Sequence, residues 1–287
     1  MTQLDQAESA FAAARPRLFG IAYRMTGSVA DAEDLVQETW VRWQTADRAA
    51  VVNPEAYLAT AITRLAINES QTARARRETY VGPWLPEPVD TSADPQLGAE
   101  RGAVLELAVL MLLEKLTPTE RAAYVLREAF DYPYREIAEI VQTSEAATRQ
   151  LVSRARKHLA DSRRTPVSST RQRELLEAFV AAAQAGDLAT LEKLFAEDVV
   201  SWSDSNGAVR AAGRPLYGAA SLAKIVAGWA PSFWSPRDVG YVEANGQWAI
   251  RLKRGGAVYG VITVVVSEEG IDQVLWQVNP EKLGAFA

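Results

Sequence analysis

The hydrophobic period of this chain changes near residue 170, and that change sets the classes of fold open to it. Before it, apolar residues recur at helical spacing, as at Leu18, Ile21, Ala22 and Met25. After it, two helical stretches (174–184 and 188–195) lead into short β-branched and aromatic runs at 199–203, 239–244, 248–253, 258–266 and 274–278. Asn245-Gly246 and Gly255-Gly256 are hairpin turns. The order predicts all-α domains followed by an α+β domain with an antiparallel sheet.

The 287 residues give room for about two or three domains. Pro83, Pro86, Pro88 and Pro95, with Gly82 and Gly98, mark an extended linker, yet Trp84 and Leu85 within it predict that it docks on something. Residues 162–170 form a second linker. Whole classes of chemistry drop out. There is no cysteine, which excludes disulfides, cysteine-ligated zinc, iron–sulfur clusters and thiol catalysis, and one histidine, His158, which excludes a histidine-cluster metal site. No cofactor or metal is expected. No apolar run, 261–266 included, approaches the ~20 residues that span a bilayer. The first 14 residues carry Asp5 and Glu8 and no basic stretch of a secretory signal. The expectation is a cytoplasmic protein with no membrane partner.

The net charge of −5 hides a basic segment: 145–164 holds six Lys/Arg against Glu145 and Asp161. Thr117-Pro118-Thr119-Glu120 is a helix start with capping-box spacing. A short helix at 134–141, a turn at Gln142-Thr143 and a helix opened by Ser144 then follow the helix-turn-helix order. At 100° per residue, Ala147, Thr148, Leu151, Val152, Ala155 and Leu159 share an apolar arc, and Arg149, Gln150, Ser153, Arg156 and Lys157 the opposite one. Arg149 and Gln150, near the start, suit base edges in the major groove; Arg154, Arg156 and Lys157 suit phosphates. By pattern alone the same face fits a solvated helix equally well. An acidic protein holds DNA weakly by itself, because phosphate neutralisation supplies most non-specific affinity, so a DNA-binding role calls for a larger partner.

Four stretches carry a family resemblance. Arg17-Leu-Phe-Gly-Ile-Ala-Tyr-Arg-Met25 with Gly27-Ser-Val-Ala-Asp-Ala-Glu-Asp-Leu-Val-Gln-Glu-Thr-Trp40 resembles region 2 of the extracytoplasmic-function (ECF) sigma factors of the sigma-70 family, and 116–159 resembles their region 4. Tyr80-Val-Gly-Pro-Trp-Leu-Pro-Glu-Pro88 and Asn279-Pro-Glu-Lys-Leu283 resemble the linker and terminal motifs of the subgroup with a C-terminal SnoaL-like (NTF2-like) domain. The resemblance implies a multidomain chain: region 2 at 1–80, a Pro-rich linker at 81–102, region 4 at 103–164 and an NTF2-like cone at 165–287.

It further implies a sigma factor that directs promoter-specific initiation, with core RNA polymerase and promoter DNA as partners. Asp34, Gln37 and Glu38 would meet the clamp helices of the β′ subunit. The loop at 47–54 would capture a flipped base. The helix at 57–77 would contact the −10 element through Arg64, Asn68, Arg74, Arg76 and Arg77, and the helix carrying Arg149 would read the −35 element. The alternative, a helix-turn-helix regulator fused to a ligand-sensing or catalytic domain, has no need of the 31–40 motif.

In the C-terminal domain, Asp198 and Asp204 are candidate pocket carboxylates, although an Asp beside a strand also serves as a turn or cap residue. Trp202, Trp229, Trp234, Trp248 and Trp276 line a cavity or fill a core. Relatives usually carry an Asp-Gly-Gly-Gly-Lys-like loop where this chain has Asp204-Ser-Asn-Gly-Ala208, without the lysine. The expected role is regulation in cis, not enzymatic, with contacts from Trp84, Leu85, Pro86, Asn279, Pro280, Glu281, Lys282 and Leu283 to the linker or region 2, and no separate anti-sigma factor required.

Overall fold

The computed structural model describes residues 3–92, 105–160, 167–234 and 238–287. Pro95 and Gly98 of the linker, the basic pair Arg163 and Arg164, and the side chain of Arg74 lie outside the described residues. The chain forms two compact units: Met1–Glu78 with Asp94–Ser162, and Thr79–Ala93 with Arg163–Ala287. The first part of the linker therefore belongs with the C-terminal domain.

In the first unit, α1 (Gln3–Thr26), α2 (Val29–Thr45) and α3 (Pro54–Glu78) pack together. Leu18, Ile21, Ala22 and Met25 of α1 are buried, as their spacing predicts. The Ser28 side chain caps α2 by accepting from the Asp31 amide, and Asn53 does the same for α3 from Ala56. Four further helices follow: α4 (Leu107–Leu113), α5 (Pro118–Phe130), α6 (Tyr134–Ile140) and α7 (Glu145–Ala160). The Thr117–Glu120 capping box is formed, and Gln142 takes φ +58° in the tight turn between α6 and α7.

A buried ionic cluster fastens α4 and α5 to α1 and α3. Glu114 pairs with both Arg77 and Arg121, Arg77 also donates to the Thr26 carbonyl, and Arg121 Nε donates to the Arg24 carbonyl at 3.0 Å. Burial pushes the Arg77 and Arg121 guanidinium groups down to about 9. Both stay cationic at neutral pH, so their burial depends on the counter-charge at Glu114.

The second unit holds α8 (Ser169–Ala185), α9 (Leu188–Leu194), α10 (Ala219–Gly228) and a six-stranded sheet. Its strands are β1 (Phe195–Asp204), β2 (Leu216–Tyr217), β3 (Asp238–Ala244), β4 (Gln247–Arg254), β5 (Ala257–Ser267) and β6 (Gly270–Gln277), in spatial order β2-β1-β6-β5-β4-β3. The expected antiparallel sheet is corrected to a mixed one, because β1 pairs with β6 in parallel. The hairpin turns legible in the sequence fix only the β3-β4-β5 meander. Between β1 and β3 the chain crosses over through β2 and α10, so no hairpin sets the direction of β1. At the β5–β6 turn Gly270 has φ +122°, and a Cβ there would lie 2.5 Å from the Leu194 carbonyl oxygen, so only glycine fits.

The sheet is buried on both faces. On one, Val199, Ile250, Leu252, Ile262, Val274 and Trp276 pack around Phe179 and the helices. On the other, Ala244, Ala249 and Val261 pack against Leu283 and Phe286 of the terminal turns, Pro280–Lys282 and Gly284–Phe286. Among the described residues no helix is long and apolar enough to cross a membrane, and no group of three metal-ligating side chains is present.

Candidate nucleic-acid interface and linker clamp

The burial stripe of α2 runs through Ala32, Leu35, Val36, Thr39 and Trp43, and the Trp43 indole donates to the Ala7 carbonyl at 3.0 Å. This i, i+3, i+4 spacing leaves Asp34, Gln37 and Glu38 together on the exposed side. Glu38 pairs with Arg42 one turn on, at 2.7 Å. The 47–54 loop presents Val52 at 99 % exposure, an apolar side chain with no packing of its own.

The basic residues of α3 divide. Arg64 and Asn68 lie one turn apart on its exposed side. Arg64 nonetheless donates to the carbonyls of Ile140 and Glu139, both at 3.0 Å, and so caps the C-terminal end of α6. Arg76 is held between Asp31 at 3.1 Å and Glu69 at 2.6 Å. Arg77 is turned inward to Glu114.

On α7, Thr148, Val152, Ala155 and Leu159 are buried, while Arg149, Gln150, Ser153, Arg154, Arg156 and Lys157 are all exposed. Three of these arginines are engaged by acids: Arg149 with Glu145 at 2.5 Å, Arg154 with Glu120 at 3.2 Å and Arg156 with Glu128 at 2.6 Å. Arg149 also lies over the Tyr134 ring, 4.4 Å from its centroid. These pairs are partly exposed and cheap to exchange for phosphate or base contacts.

The second unit is organised around one buried carboxylate. Asp204 is fully buried at the end of β1. It accepts from the Tyr80 hydroxyl at 2.6 Å, the Leu85 amide at 2.8 Å and the Lys282 ammonium at 2.7 Å. Lys282 also donates to the Leu85 carbonyl at 2.7 Å and sits 4.6 Å from the Trp84 ring centroid and 5.0 Å from that of Tyr80. Asn279 donates to the Tyr80 hydroxyl at 3.0 Å. Burial and the Asp204 hydrogen bond push the Tyr80 phenol well above its ordinary pKa. Farther along, the linker adds to the free edge of β3: Asp90 bridges Ala244, the Val89 amide donates to the Asn245 side-chain oxygen while the Asn245 amide donates to the Val89 carbonyl, and Thr91 donates to Glu243.

Thus Trp84 and Leu85 meet Lys282 and the end of β1, Pro86 meets Gln277 at the end of β6, Asn279 meets Tyr80, Leu283 enters the core, and Pro280 and Glu281 stay exposed. Neither candidate pocket carboxylate lines the cavity of this domain: Asp204 is the clamp and Asp198 is exposed. Of the tryptophans, Trp229 and Trp276 line it, Trp234 is core, Trp248 packs against the core under Arg173, and Trp202 is half-buried. Sequence reasoning missed Tyr80, Asn245 and Gln277. Asn245 carried only a turn signal, and Tyr80 stood at the head of a motif with nothing to mark its partner.

Family models match over two stretches: Sigma-70 region 2 over residues 10–77 and Sigma-70, region 4 over 106–159. The chain is 36 % identical to the ECF RNA polymerase sigma factor SigJ of Mycobacterium tuberculosis, covering 96 % of this chain and 92 % of that one. It is 31 % identical to the probable ECF RNA polymerase sigma factor SigI of the same species, over 99 % and 97 %. The crystal structure of Mycobacterium tuberculosis SigJ superposes with a TM-score of 0.77 at 33 % identity, covering 96 % of this chain and 98 % of that one. With both sigma-70 regions in order and a relative matched along nearly its whole length, the chain belongs to the ECF RNA polymerase sigma factors, which direct promoter-specific transcription initiation.

Proposed function

We propose that this chain is a non-catalytic specificity subunit working in the cytoplasm. Its α2 face (Asp34, Gln37, Glu38) docks on the clamp helices of the β′ subunit of core RNA polymerase. The α3 helix engages the −10 element of promoter DNA, with Arg64, Asn68, Arg74 and Arg76 as its polar contacts, and α7 reads the −35 element. Arg77 supports that surface from inside through Glu114. The domains follow the limits 1–80, 81–102, 103–164 and 165–287.

The SnoaL-like C-terminal domain controls the chain in cis through the linker, with no separate anti-sigma factor. The observation that carries this reading is the Asp204 clamp, where linker and tail share one buried carboxylate. A linker whose backbone and side chains are bound to a folded domain loses the freedom of a tether, so the domain biases which arrangements of regions 2 and 4 are populated. Run-off transcription with core polymerase tests it, comparing the full chain, Lys282→Met and a chain lacking 279–287. A severalfold change in promoter-dependent output at equal core binding is expected. Unchanged output from both would leave the domain as passive cargo.

A further inference from the structure

The helix-side face of the sheet in the second unit encloses a cavity of about 660 Å³, a size typical of small-molecule sites. Four aromatic rings form its walls: Trp229, Phe233, Tyr259 and Trp276. They meet at steep angles, with Trp229 and Trp276 centroids 5.5 Å apart at 84° and Phe233 and Tyr259 6.0 Å apart at 63°. The Trp276 indole is anchored by donating to Ser201 at 2.9 Å, which holds the central ring in place. The walls are thus set before anything binds, and little conformational entropy remains to be lost.

The polar lining narrows the chemistry. Among the described residues Arg210 is the one charged side chain of the lining, and it is exposed, which puts it where the cavity meets water. No carboxylate lies within ion-pair distance of it among the described residues, in contrast with the paired arginines of α7. No aspartate, glutamate, histidine or lysine lines the cavity there. Apart from the Tyr259 phenol and the Ser203 hydroxyl the lining offers no proton-transfer group, so it suits capture more than turnover. Flat aromatic walls favour a flat apolar body, and a lone guanidinium at the mouth favours a carboxylate.

We propose that this cavity is a binding site for a small planar apolar carboxylate, its ring system packed against the aromatic lining of Trp229, Phe233, Tyr259 and Trp276 and its carboxylate on Arg210. The β1 and β6 strands that carry Ser203 and Trp276 into the cavity carry Asp204 and Gln277 on the opposite face, in the adjacent register pair. An occupant therefore rests on the same two strands as the linker clamp.

Pyrene butyrate and its uncharged methyl ester are the probes, titrated into the full chain by calorimetry and by quenching of tryptophan fluorescence. The acid is expected to bind saturably at one site and at least tenfold more tightly than the ester. Arg210→Gln, at an exposed position, should remove that preference and leave ester binding unchanged. Ala212→Trp should weaken both probes at least tenfold with the fold intact by circular dichroism; Leu216→Trp on β2 replaces it should that variant misfold. No saturable binding to the folded full chain, binding indifferent to the filling substitutions, or equal affinity for acid and ester would each overturn the proposal. None of these readouts involves polymerase, so failure here leaves the cis-control reading to its own transcription test.

Discussion

The Lys282 ammonium lies 2.7 Å from the Asp204 carboxylate, across 78 residues of sequence, and the pair is buried at 12 % and 0 % side-chain exposure. It joins the end of the first long strand to the terminal turn, and the linker backbone at Leu85 closes the ring of hydrogen bonds around it.

Removing one partner of this pair strands the other. Lys282→Met should destabilise the second unit by about 3–5 kcal/mol, because Asp204 is left charged and buried. The double variant Asp204→Asn/Lys282→Met should recover part of that loss. Urea unfolding of the full chain, followed by tryptophan fluorescence, measures both; an unchanged midpoint for Lys282→Met would show that the pair contributes nothing.

The Tyr80 hydrogen bond to Asp204 carries a pH signature. Its folded pKa lies above the ordinary value of 10.0, so its contribution is fully present below that value and is lost as pH rises through the folded one. Tyr80→Phe should lower stability at neutral pH, and its deficit relative to the parent should vanish on strong alkalinisation. Thermal unfolding of both chains across alkaline pH checks this; a deficit constant with pH would contradict it.

In the first unit, Glu114 is the counter-charge of the buried Arg121 guanidinium and of the mostly buried one of Arg77. Glu114→Gln should cost about 3–5 kcal/mol and raise hydrogen exchange in α4 and α5. Glu38→Gln, which breaks only the exposed pair with Arg42, should change stability by no more than about 0.5 kcal/mol. Comparable losses from the two would show that burial of the cluster does not matter.

Charge reversal at Asp34 or Glu38 should abolish pull-down of core polymerase while the unfolding midpoint stays near the parent value, since both side chains are exposed. Parent-level recovery of core polymerase by a folded Asp34→Lys/Glu38→Lys chain would place the docking surface elsewhere.

Arg149→Ala should cost about 1–3 kcal/mol of promoter affinity and relax specificity at one −35 position. Arg156→Ala and Lys157→Ala should weaken all sequences alike and each lower the salt slope by about 1. Binding competitions over −35 variants at several salt concentrations separate the two behaviours. Equal, sequence-independent losses from all three would mean that α7 enters the groove in another orientation.

Local rules carried the elements. The Thr117–Glu120 box, the Asn245-Gly246 turn and the apolar arc of α7 depend on neighbours within a few residues, and each formed at its expected place. The exposure of Asp34, Gln37 and Glu38, and of the six polar residues of α7, follows from the same periodicity. What periodicity does not contain is a partner far along the chain. Trp84 and Leu85 announced that the linker docks, but not that its anchor is Asp204, and Asp204 itself fitted a turn as well as a pocket. Arg77 fitted a basic DNA-facing helix end, but Glu114 draws it inward. The parallel β1–β6 pair likewise depended on a crossover that no turn residue signals. The sequence alone thus determined most of the helices and strands, though not α10 or β2, and which side of them is apolar, because spacing and caps act locally. Only the tertiary structure decided which charges meet, because a buried ion pair is set by where distant segments converge.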